Sequence, residues 1–301
     1  MYRGEISEIV IYPVKSLQGI SLQSSTLTEK GLNWDRHWMI VNEDGLFATQ
    51  RHFNEMAKIK TEITDKYLIL SHPKHSDCRI PLEVDDSSLE RREVKVWKSD
   101  CKVIDEGNEV SVWLTTVLGT WREQKLSLVR MASDFIRNVS DKYTEGETNS
   151  TLFSDGYPFL ITTTRSLNVL NQNLISQNEQ PVPMSRFRAN IIINNEICDQ
   201  KVTETPEFVE HQSNYLQVDT DHSDKEPLTF KLCKPCERCK VPSIDQKTGK
   251  VVSAQQPLKT LFSMNNVEQK GAFFGENAVL TQSSKTLTET IIKIGDKITF
   301  S

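Results

Sequence analysis

The chain has 301 residues, of which 37% are hydrophobic and 26% charged, a balance typical of a globular protein with a sizeable core. This length fits one large domain, or two domains that share an interface. The formal net charge of −5 argues against a general nucleic-acid binder, because such proteins are usually basic. We therefore expect no nucleic-acid partner, although a local basic pocket for a small anion stays open.

The N-terminus and the cysteine content indicate the compartment. No apolar run follows the opening segment Met-Tyr-Arg-Gly-Glu-Ile, so we expect no secretory signal. No stretch approaches the roughly 18 apolar residues of a membrane span, so we expect no membrane association. The six cysteines of such a chain are expected to be reduced thiols, which predicts a cytoplasmic protein.

The predicted elements are mainly short strands rich in apolar and β-branched residues. In the first part of the chain they cover residues 6–11, 20–27, 38–41, 67–70 and 94–97. Turn chemistry at residues 42–45 closes one of them. Few helices accompany the strands, so the sequence predicts a β-rich α+β fold.

Two helices are predicted among these strands. Apolar residues recur at helical spacing from 110 to 118, with Asn108 as the expected N-cap and Gly119 as the stop. A second helix is predicted over residues 166–174. The remaining predictions are strands at 187–193 and 228–232, a strand pair within 292–300, and surface loops at 177–185 and 211–225.

The segment Cys233-Lys-Pro-Cys236-Glu-Arg238-Cys239 carries the strongest chemical signal of the sequence. A thiolate is a nucleophile and a soft metal ligand, and a neighbouring cation lowers a thiol pKa and attracts an anionic cofactor. An iron–sulfur or zinc site is disfavoured, because no matching fourth ligand follows in the sequence. Unpaired cysteines in an ordinary turn remain the alternative.

Cations near predicted strand ends provide a second signal. Lys15 follows Tyr-Pro-Val, Arg36 follows Trp-Asp, and Arg188 and Asn190 are expected on one face of a strand. Such polar groups need partners if they are buried, and a phosphate or pterin supplies them. The alternative is that each cation is solvated or is paired with an acid such as Asp35.

Six segments, in this order, resemble the MOSC family, named for the C-terminal domain of molybdenum cofactor sulfurase. They are Ile11-Tyr-Pro-Val-Lys15-Ser16, Gly31-Leu-Asn-Trp-Asp35-Arg36, Ser154-Asp-Gly156-Tyr-Pro, Phe187-Arg188-Ala-Asn190, Cys236-Glu-Arg238-Cys239 with 245–249, and Phe273-Phe-Gly275-Glu-Asn277. The resemblance is greatest to the branch of the mitochondrial amidoxime reducing component and its bacterial relatives. It covers nearly the whole chain.

The resemblance implies two domains and a bound cofactor. The expected domains are a MOSC N-terminal domain over 1–121, whose first strands can join the barrel, and a MOSC β-barrel domain over 122–301. The expected cofactor is the molybdenum cofactor, a molybdenum ion held by a pyranopterin dithiolene. By motif position, Cys239 is the metal ligand and the catalytic residue. Eight residues are expected to bind the rest of the cofactor: Lys15, Ser16, Arg36, Gly156, Tyr157, Arg188, Asn190 and Arg238.

The resemblance also implies an activity, the reduction of N-hydroxylated compounds such as amidoximes, hydroxylamines and N-hydroxylated bases. Electrons are expected from a separate ferredoxin, flavodoxin or cytochrome b5 type of protein, because the sequence shows no ferredoxin cysteine set and no flavin fingerprint. The alternative is a carrier that binds the cofactor, or holds persulfide on Cys239, without reducing these compounds. The chain departs from relatives at Gly156-Tyr157 and at 196–199, and Cys233 is an extra thiol without an assigned role.

Overall fold

A computed structural model shows a β-rich protein built from one closed barrel and several smaller sheets. It describes residues 1–85, 90–144, 146–195, 206–219, 227–267, 269–281 and 290–301. Within these ranges the chain forms eighteen strands and three α-helices, so the expected β-rich α+β class is confirmed. None of the helices in this part of the chain is both long and apolar enough to cross a bilayer.

The strands and helices are numbered in chain order. The strands of the first half are β1 (Tyr2–Ile11), β2 (Ile20–Leu22), β3 (Ser24–Thr28), β4 (Gly31–Leu32), β5 (Trp38–Asn42), β6 (Lys60–Ile63), β7 (Tyr67–His72), β8 (His75–Pro81), β9 (Arg91–Val96), β10 (Ser99–Asp105) and β11 (Leu126–Met131). Those of the second half are β12 (Phe159–Thr163), β13 (Ile191–Asn194), β14 (Tyr215–Asp219), β15 (Leu228–Glu237), β16 (Phe273–Leu280), β17 (Ile291–Lys293) and β18 (Lys297–Phe300). The helices are α1 (Asn108–Leu118), α2 (Thr164–Ser176) and α3 (Leu258–Met264).

Seven strands close the barrel in the order β1, β13, β12, β16, β15, β14 and β18. The antiparallel pairing of β1 with β13, in which Ile9 lies opposite Ile191, completes the circle. Strands β12 and β13 run parallel and are connected through α2, the crossover that a parallel pair requires. Side chains such as Phe159, Phe230 and Phe300 fill the interior, as expected for a small barrel.

A four-stranded sheet, β5-β11-β10-β9, forms the centre of the N-terminal half. Helix α1 and the hairpin sheet β6-β7-β8 contribute to a core around Trp38, Leu70 and Leu114. Strand β11 follows residue 121 in the chain and still pairs with β5, where Leu128 lies opposite Ile40. The N-terminal sheet therefore extends beyond residue 121, and the boundary at 121 stays a prediction.

A buried ion pair fastens this sheet to the neighbouring hairpin. The Glu106 carboxylate accepts hydrogen bonds from Arg130 Nε, from Arg130 Nη2 at 2.9 Å and from Trp38 Nε1 at 2.6 Å. Arg130 also donates to the carbonyl oxygens of Pro81 and Leu82, at 2.6 and 2.7 Å. Burial raises the pKa of Glu106, and the hydrogen bond and charge of Arg130 oppose that rise.

We predict that Glu106→Ala lowers the free energy of unfolding by about 3–5 kcal/mol, because it leaves a buried guanidinium without its counter-ion. The matched control is Asp134→Ala, which removes the acid of the exposed Arg91–Asp134 pair and is expected to change stability little. Urea denaturation of both variants measures the difference. Equal effects would contradict a special role for the buried pair.

Two local predictions are wrong for reasons of backbone conformation. Asn108 is the first residue of α1, and the N-cap is Gly107, whose φ of 95° is unfavourable for other residues. The strand predicted over 187–193 begins only at Ile191, because Arg188 has a φ of 56° and interrupts the extended chain. The alternation that placed Arg188 and Asn190 on one strand face therefore does not apply.

Two predictions near the C-terminus are also corrected. The strands predicted as a pair within 292–300 belong to different sheets, because β17 pairs with β3 while β18 pairs with β1 and β14. The loop predicted over 211–225 contains β14, which the barrel recruits through long-range pairing. Residues 220–226 and 196–199 lie outside the described residues.

Candidate functional site

A cavity of about 630 Å³ is lined by residues from both halves of the chain. All nine residues predicted as site residues line it: Lys15, Ser16, Arg36, Gly156, Tyr157, Arg188, Asn190, Arg238 and Cys239. The fold therefore brings together positions that lie up to 224 residues apart in sequence, from 15 to 239. Their binding roles stay predictions.

The turn after β1 carries Lys15 and Ser16 into the cavity. Lys15 N donates to Trp38 O at 2.8 Å, which ties this turn to β5 of the N-terminal sheet. Ser16 has a φ of 71°, and its carbonyl oxygen accepts a hydrogen bond from Gln50 Nε2 at 2.8 Å. These backbone contacts fix the turn, so the lysine side chain is held by the fold.

Lys15 is paired with Asp155, an acid that is not among the predicted site residues. Its buried ammonium donates to Phe153 O at 2.8 Å and to Asp155 Oδ1 at 2.6 Å. Burial lowers the pKa of Lys15, and the charge of Asp155 opposes that change. Desolvation would raise the pKa of Asp155, but the ammonium of Lys15 outweighs it and holds that pKa well below its usual range. Trp97 Nε1 also donates to Asp155 Oδ1, at 3.1 Å.

Arg36 and Arg188 meet at the ring of Tyr12. The Cζ atoms of Arg36 and Arg188 lie 4.4 and 4.1 Å from the centroid of this ring. Arg36 Nη1 donates to both carboxylate oxygens of Asp35, at 2.7 and 2.6 Å, and Arg36 Nη2 donates to Arg188 O at 3.1 Å. Arg36 therefore forms the ion pair with Asp35 that the sequence offered as an alternative, and the carboxylate of this pair is buried behind the cavity wall.

Arg188 also connects the two halves of the chain. Its Nη1 donates to Leu17 O at 2.7 Å and to Gln246 Oε1 at 3.4 Å. Burial lowers the pKa of Arg188 to about 10, so the guanidinium stays charged at neutral pH. The charge of Tyr12, if it were ionised, would oppose that shift, whereas the charge of Arg36 adds to it.

The Asn190 side-chain amide forms hydrogen bonds to the protein backbone through both its nitrogen and its oxygen. Its Nδ2 donates to Val10 O at 3.1 Å, and its Oδ1 accepts from Leu160 N at 3.2 Å. These bonds join β1 and β12 at the cavity wall. Asn190 therefore shapes this wall, and a hydrogen bond from it to a cofactor stays a prediction.

Gly156 and Tyr157 differ in what they offer the cavity. A Cβ built on Gly156 would meet nothing within 4 Å, so the cavity is open above this backbone. Tyr157 is buried and packs with Val139 and Val279. Burial raises the pKa of the Tyr157 phenol, so it remains a neutral hydroxyl at physiological pH.

The cysteine segment lies at the end of β15, where the pairing with β16 is irregular. The half-buried Cys236 Sγ accepts a hydrogen bond from Arg238 Nη1 at 2.8 Å, and Arg238 Nη2 donates to Phe187 O at 2.7 Å. Burial raises the pKa of Cys236, and the charge of Arg238 opposes that rise. Cys239 is exposed and lines the same cavity. Two thiols, not one, therefore face the site.

Among the described residues, no group of three or more His, Cys, Asp or Glu side chains is arranged to hold a metal ion. Cys198, the nearest cysteine upstream of this segment and the candidate for a fourth thiolate, lies outside the described residues. Three residues of this region were not among the predicted site residues: Trp97 and Asp155, which line the cavity, and Tyr12, which lies behind the two arginines of its wall. Tyr12 and Asp155 lie inside motifs quoted above, where an aromatic ring or a charge next to a predicted cofactor ligand could have indicated them.

Comparisons with known proteins relate the whole chain to one family. Two family models match, the MOSC N-terminal beta barrel domain over residues 3–121 and the MOSC domain over residues 148–299. The mitochondrial amidoxime-reducing component 1 of Xenopus laevis is 26% identical, over 98% of this chain and 81% of the frog protein. The mitochondrial amidoxime reducing component 2 of Rattus norvegicus is 28% identical, over 86% of this chain and 72% of the rat protein.

A molybdenum cofactor sulfurase of Bos taurus is 27% identical, over 81% of this chain, which spans only 27% of that longer protein. The second family model alone matches more than half of the chain. The cavity described above is lined by residues from both matched segments. The closed barrel and the N-terminal sheets fit the two domains that the family models describe. The chain belongs to the MOSC family.

Proposed function

We propose that this protein is a molybdenum-cofactor-dependent oxidoreductase that reduces N-hydroxylated compounds. The observation that supports the proposal is the convergence of cations and thiols on one cavity. Eight charged residues line it, and the cations outnumber the acids: Lys15, Arg36, Arg51, Arg188, Lys234 and Arg238 against Asp155 and Glu237. Such an excess of positive charge favours an anionic ligand, in a protein whose net charge is −5.

The residues present fit the pyranopterin part of the cofactor. Arg238 Nε is buried and has no hydrogen-bond partner in the described part of the chain, so a donor is left for a bound molecule. Guanidinium groups bind phosphate through parallel hydrogen bonds, and Arg36 and Arg188 offer two such groups. The open backbone at Gly156 leaves room for close approach of a ligand. Lys15 and Ser16 would contribute from the first half of the chain.

The donor set also fits the metal. Cys239 would supply the protein thiolate, since a soft sulfur ligand suits a metal already ligated by sulfur. When bound, the cofactor supplies two-electron redox chemistry. Reduction of an N–OH group to an amine consumes two electrons and two protons and releases one water. The neutral hydroxyl of Tyr157 is one proton-bearing group on the cavity wall.

The names of the relatives support the activity. Two of them are amidoxime-reducing components, and their similarity to this chain extends over most of both proteins. We propose that electrons come from a separate ferredoxin, flavodoxin or cytochrome b5 type of protein, and that the protein acts in the cytoplasm. The similarity to molybdenum cofactor sulfurases favours the second candidate function, a cofactor or sulfur carrier without reductase activity.

The test is a measurement of metal and activity on the same sample. Protein purified from a molybdenum-replete host that makes the cofactor should contain close to one molybdenum per chain. With chemically reduced methyl viologen as the electron donor, it should convert benzamidoxime to benzamidine. Molybdenum without reduction of benzamidoxime, hydroxylamine or an N-hydroxylated base would support the carrier. Absence of both molybdenum and activity would reject the proposal.

A further inference from the structure

Tyr12 is placed where the two arginines of the cavity meet. It follows directly after β1 and is buried, with 4% of its surface exposed. The guanidinium carbons of Arg36 and Arg188 both lie over its ring, within 4.4 Å of the centroid. Both arginines adopt left-handed backbone conformations, with φ of 48° and 56°. Non-glycine residues rarely adopt this region, and such outliers often occur at functional sites.

The ring is itself held in a fixed orientation. Tyr12 N donates to Asp35 Oδ1 at 2.7 Å, so the carboxylate that binds Arg36 also fixes the backbone of Tyr12. A Cβ on Gly19 would lie only 2.6 Å from Tyr12 Cε1, so the ring fills the space that this glycine leaves. The ring is therefore held by packing, while hydrogen bonds to Asp35 and to Leu17 O hold the guanidiniums of Arg36 and Arg188.

The Cζ atoms of the two arginines lie 4.4 and 4.1 Å from the same ring centroid, and hence at most 8.5 Å from each other, so the two like charges repel and this repulsion must be offset if both are to face one ligand. The charge of Arg36 contributes to the lowered pKa of Arg188, which reports this repulsion. The face of an aromatic ring carries partial negative charge and attracts cations, most strongly where water is excluded. One buried ring in contact with both guanidiniums therefore adds to the attraction that Asp35 and Asp155 exert on Arg188, and it helps to hold the two groups near each other.

We propose that Tyr12 is a positioning residue whose ring holds Arg36 and Arg188 together so that both guanidiniums bind one phosphate-bearing ligand. The inference rests on the proposed function, because it deepens the description of the same cavity. The ring acts through the two arginines and does not itself bind the ligand. The phenol oxygen is not needed for this role, and phenylalanine should therefore replace tyrosine.

The experiment measures anion binding to the 301-residue chain, purified from a host that does not make the cofactor. The probe is inorganic pyrophosphate, and isothermal titration calorimetry gives its Kd. We expect Tyr12→Phe to bind within about twofold of the wild type, and Tyr12→Leu to bind about tenfold more weakly. The matched control is Phe300→Leu, in the barrel core, which should lower the Tm without changing the Kd.

A second series keeps the shape of the ring. Phenylalanine analogues with increasing numbers of fluorine atoms, incorporated at position 12, withdraw the negative charge from the ring face and change its packing little. The Kd should rise stepwise with fluorination, a response that a purely structural role would not give. This series remains informative if Tyr12→Leu does not fold.

The outcomes separate this inference from the proposed function. If Tyr12→Leu binds pyrophosphate with wild-type affinity and fluorination does not change the Kd, the role of Tyr12 is overturned. The proposed function still stands in that case if the cofactor-loaded wild type contains molybdenum. An equal loss in Tyr12→Phe and Tyr12→Leu also overturns the role of Tyr12, because it assigns the effect to the hydroxyl. A wild type that binds no pyrophosphate overturns the inference. A wild type from the molybdenum-replete host that has neither molybdenum nor activity overturns the proposed function.

Discussion

Cys239→Ala is expected to lower both the rate of benzamidoxime reduction and the molybdenum content by more than about 100-fold, because the variant lacks the proposed thiolate ligand. Loss of a residue that only supports a ligand typically costs 10–100-fold, so loss of the ligand itself should cost at least as much. The exposed position of Cys239 argues that this loss does not come from unfolding. The measurement combines metal analysis with activity, and the Tm of the variant serves as a check on folding.

The two neighbouring cysteines are the matched controls. Cys233→Ala should keep molybdenum and activity. Cys236→Ala removes the sulfur that accepts the 2.8 Å hydrogen bond from Arg238, so we expect a smaller loss of activity with molybdenum retained. A larger loss of molybdenum in Cys236→Ala than in Cys239→Ala would contradict the assignment and move the proposed ligand to Cys236.

The predicted site residues came from contiguous motifs that resemble the MOSC family, and this resemblance explains why residues that line one cavity could be named from sequence. Ser16, Arg36 and Arg188 each lie in a short segment that combines a chemical group with an unusual left-handed backbone. Their placement depends on long-range hydrogen bonds, such as those from Gln50 Nε2 to Ser16 O and from Arg188 to Leu17 O, so the family resemblance, and not the local pattern, indicated that they meet. The β-rich class was predictable for a different reason, because strand patterns are local.

The partners of these residues were not predictable, because they come from distant parts of the chain. Lys15 and Asp155 are 140 residues apart, and Trp97 reaches Asp155 from the turn between β9 and β10. Closure of the barrel pairs Glu5 with Asn194. Periodicity carries no information on such pairings, and for the same reason β14 was predicted as a loop.

The position of the cavity gives both halves of the chain a share in the site. Gln50 and Gln246 exchange hydrogen bonds of 2.9 Å between their buried side-chain amides, one from each half. Arg188 contacts both Leu17 and Gln246. Because the Gln50–Gln246 contact is buried and joins the two halves at the cavity, a substitution of either glutamine is expected to affect ligand binding as well as stability.

A buried acid–histidine pair at the barrel should make stability depend on pH. The Glu276 carboxyl lies 2.7 Å from His211 Nδ1, and the two side chains are 5% and 1% exposed. Burial raises the pKa of Glu276 to about 9; the nearby Glu210 adds to this rise and Lys234 opposes it. Burial lowers the pKa of His211 to about 4. Both groups are therefore neutral between these values, with the carboxyl O–H donating to Nδ1.

The sign of the pH dependence follows from the protons bound in each state. The unfolded chain loses the Glu276 proton near pH 4.5, while the folded chain keeps it to about pH 9, so stability falls across this interval by about 1.4 kcal/mol per pH unit. For His211 the folded pKa is lower than the unfolded value of 6.5, so stability rises from about pH 4 to 6.5. The two slopes cancel between pH 4.5 and 6.5, and only the decline remains above pH 6.5.

Glu276→Gln should remove this decline, because the amide keeps a donor for Nδ1 and has no proton to lose. Between pH 6.5 and 8 the wild type should lose about 2 kcal/mol of unfolding free energy that the variant keeps. Urea denaturation at several pH values measures both curves, and His211→Gln should extend the decline down to about pH 4.5, because the compensating rise from His211 is lost. A wild-type stability that increases between pH 6.5 and 8, or an equal decline in Glu276→Gln, would show that this pair is not neutral in the folded protein.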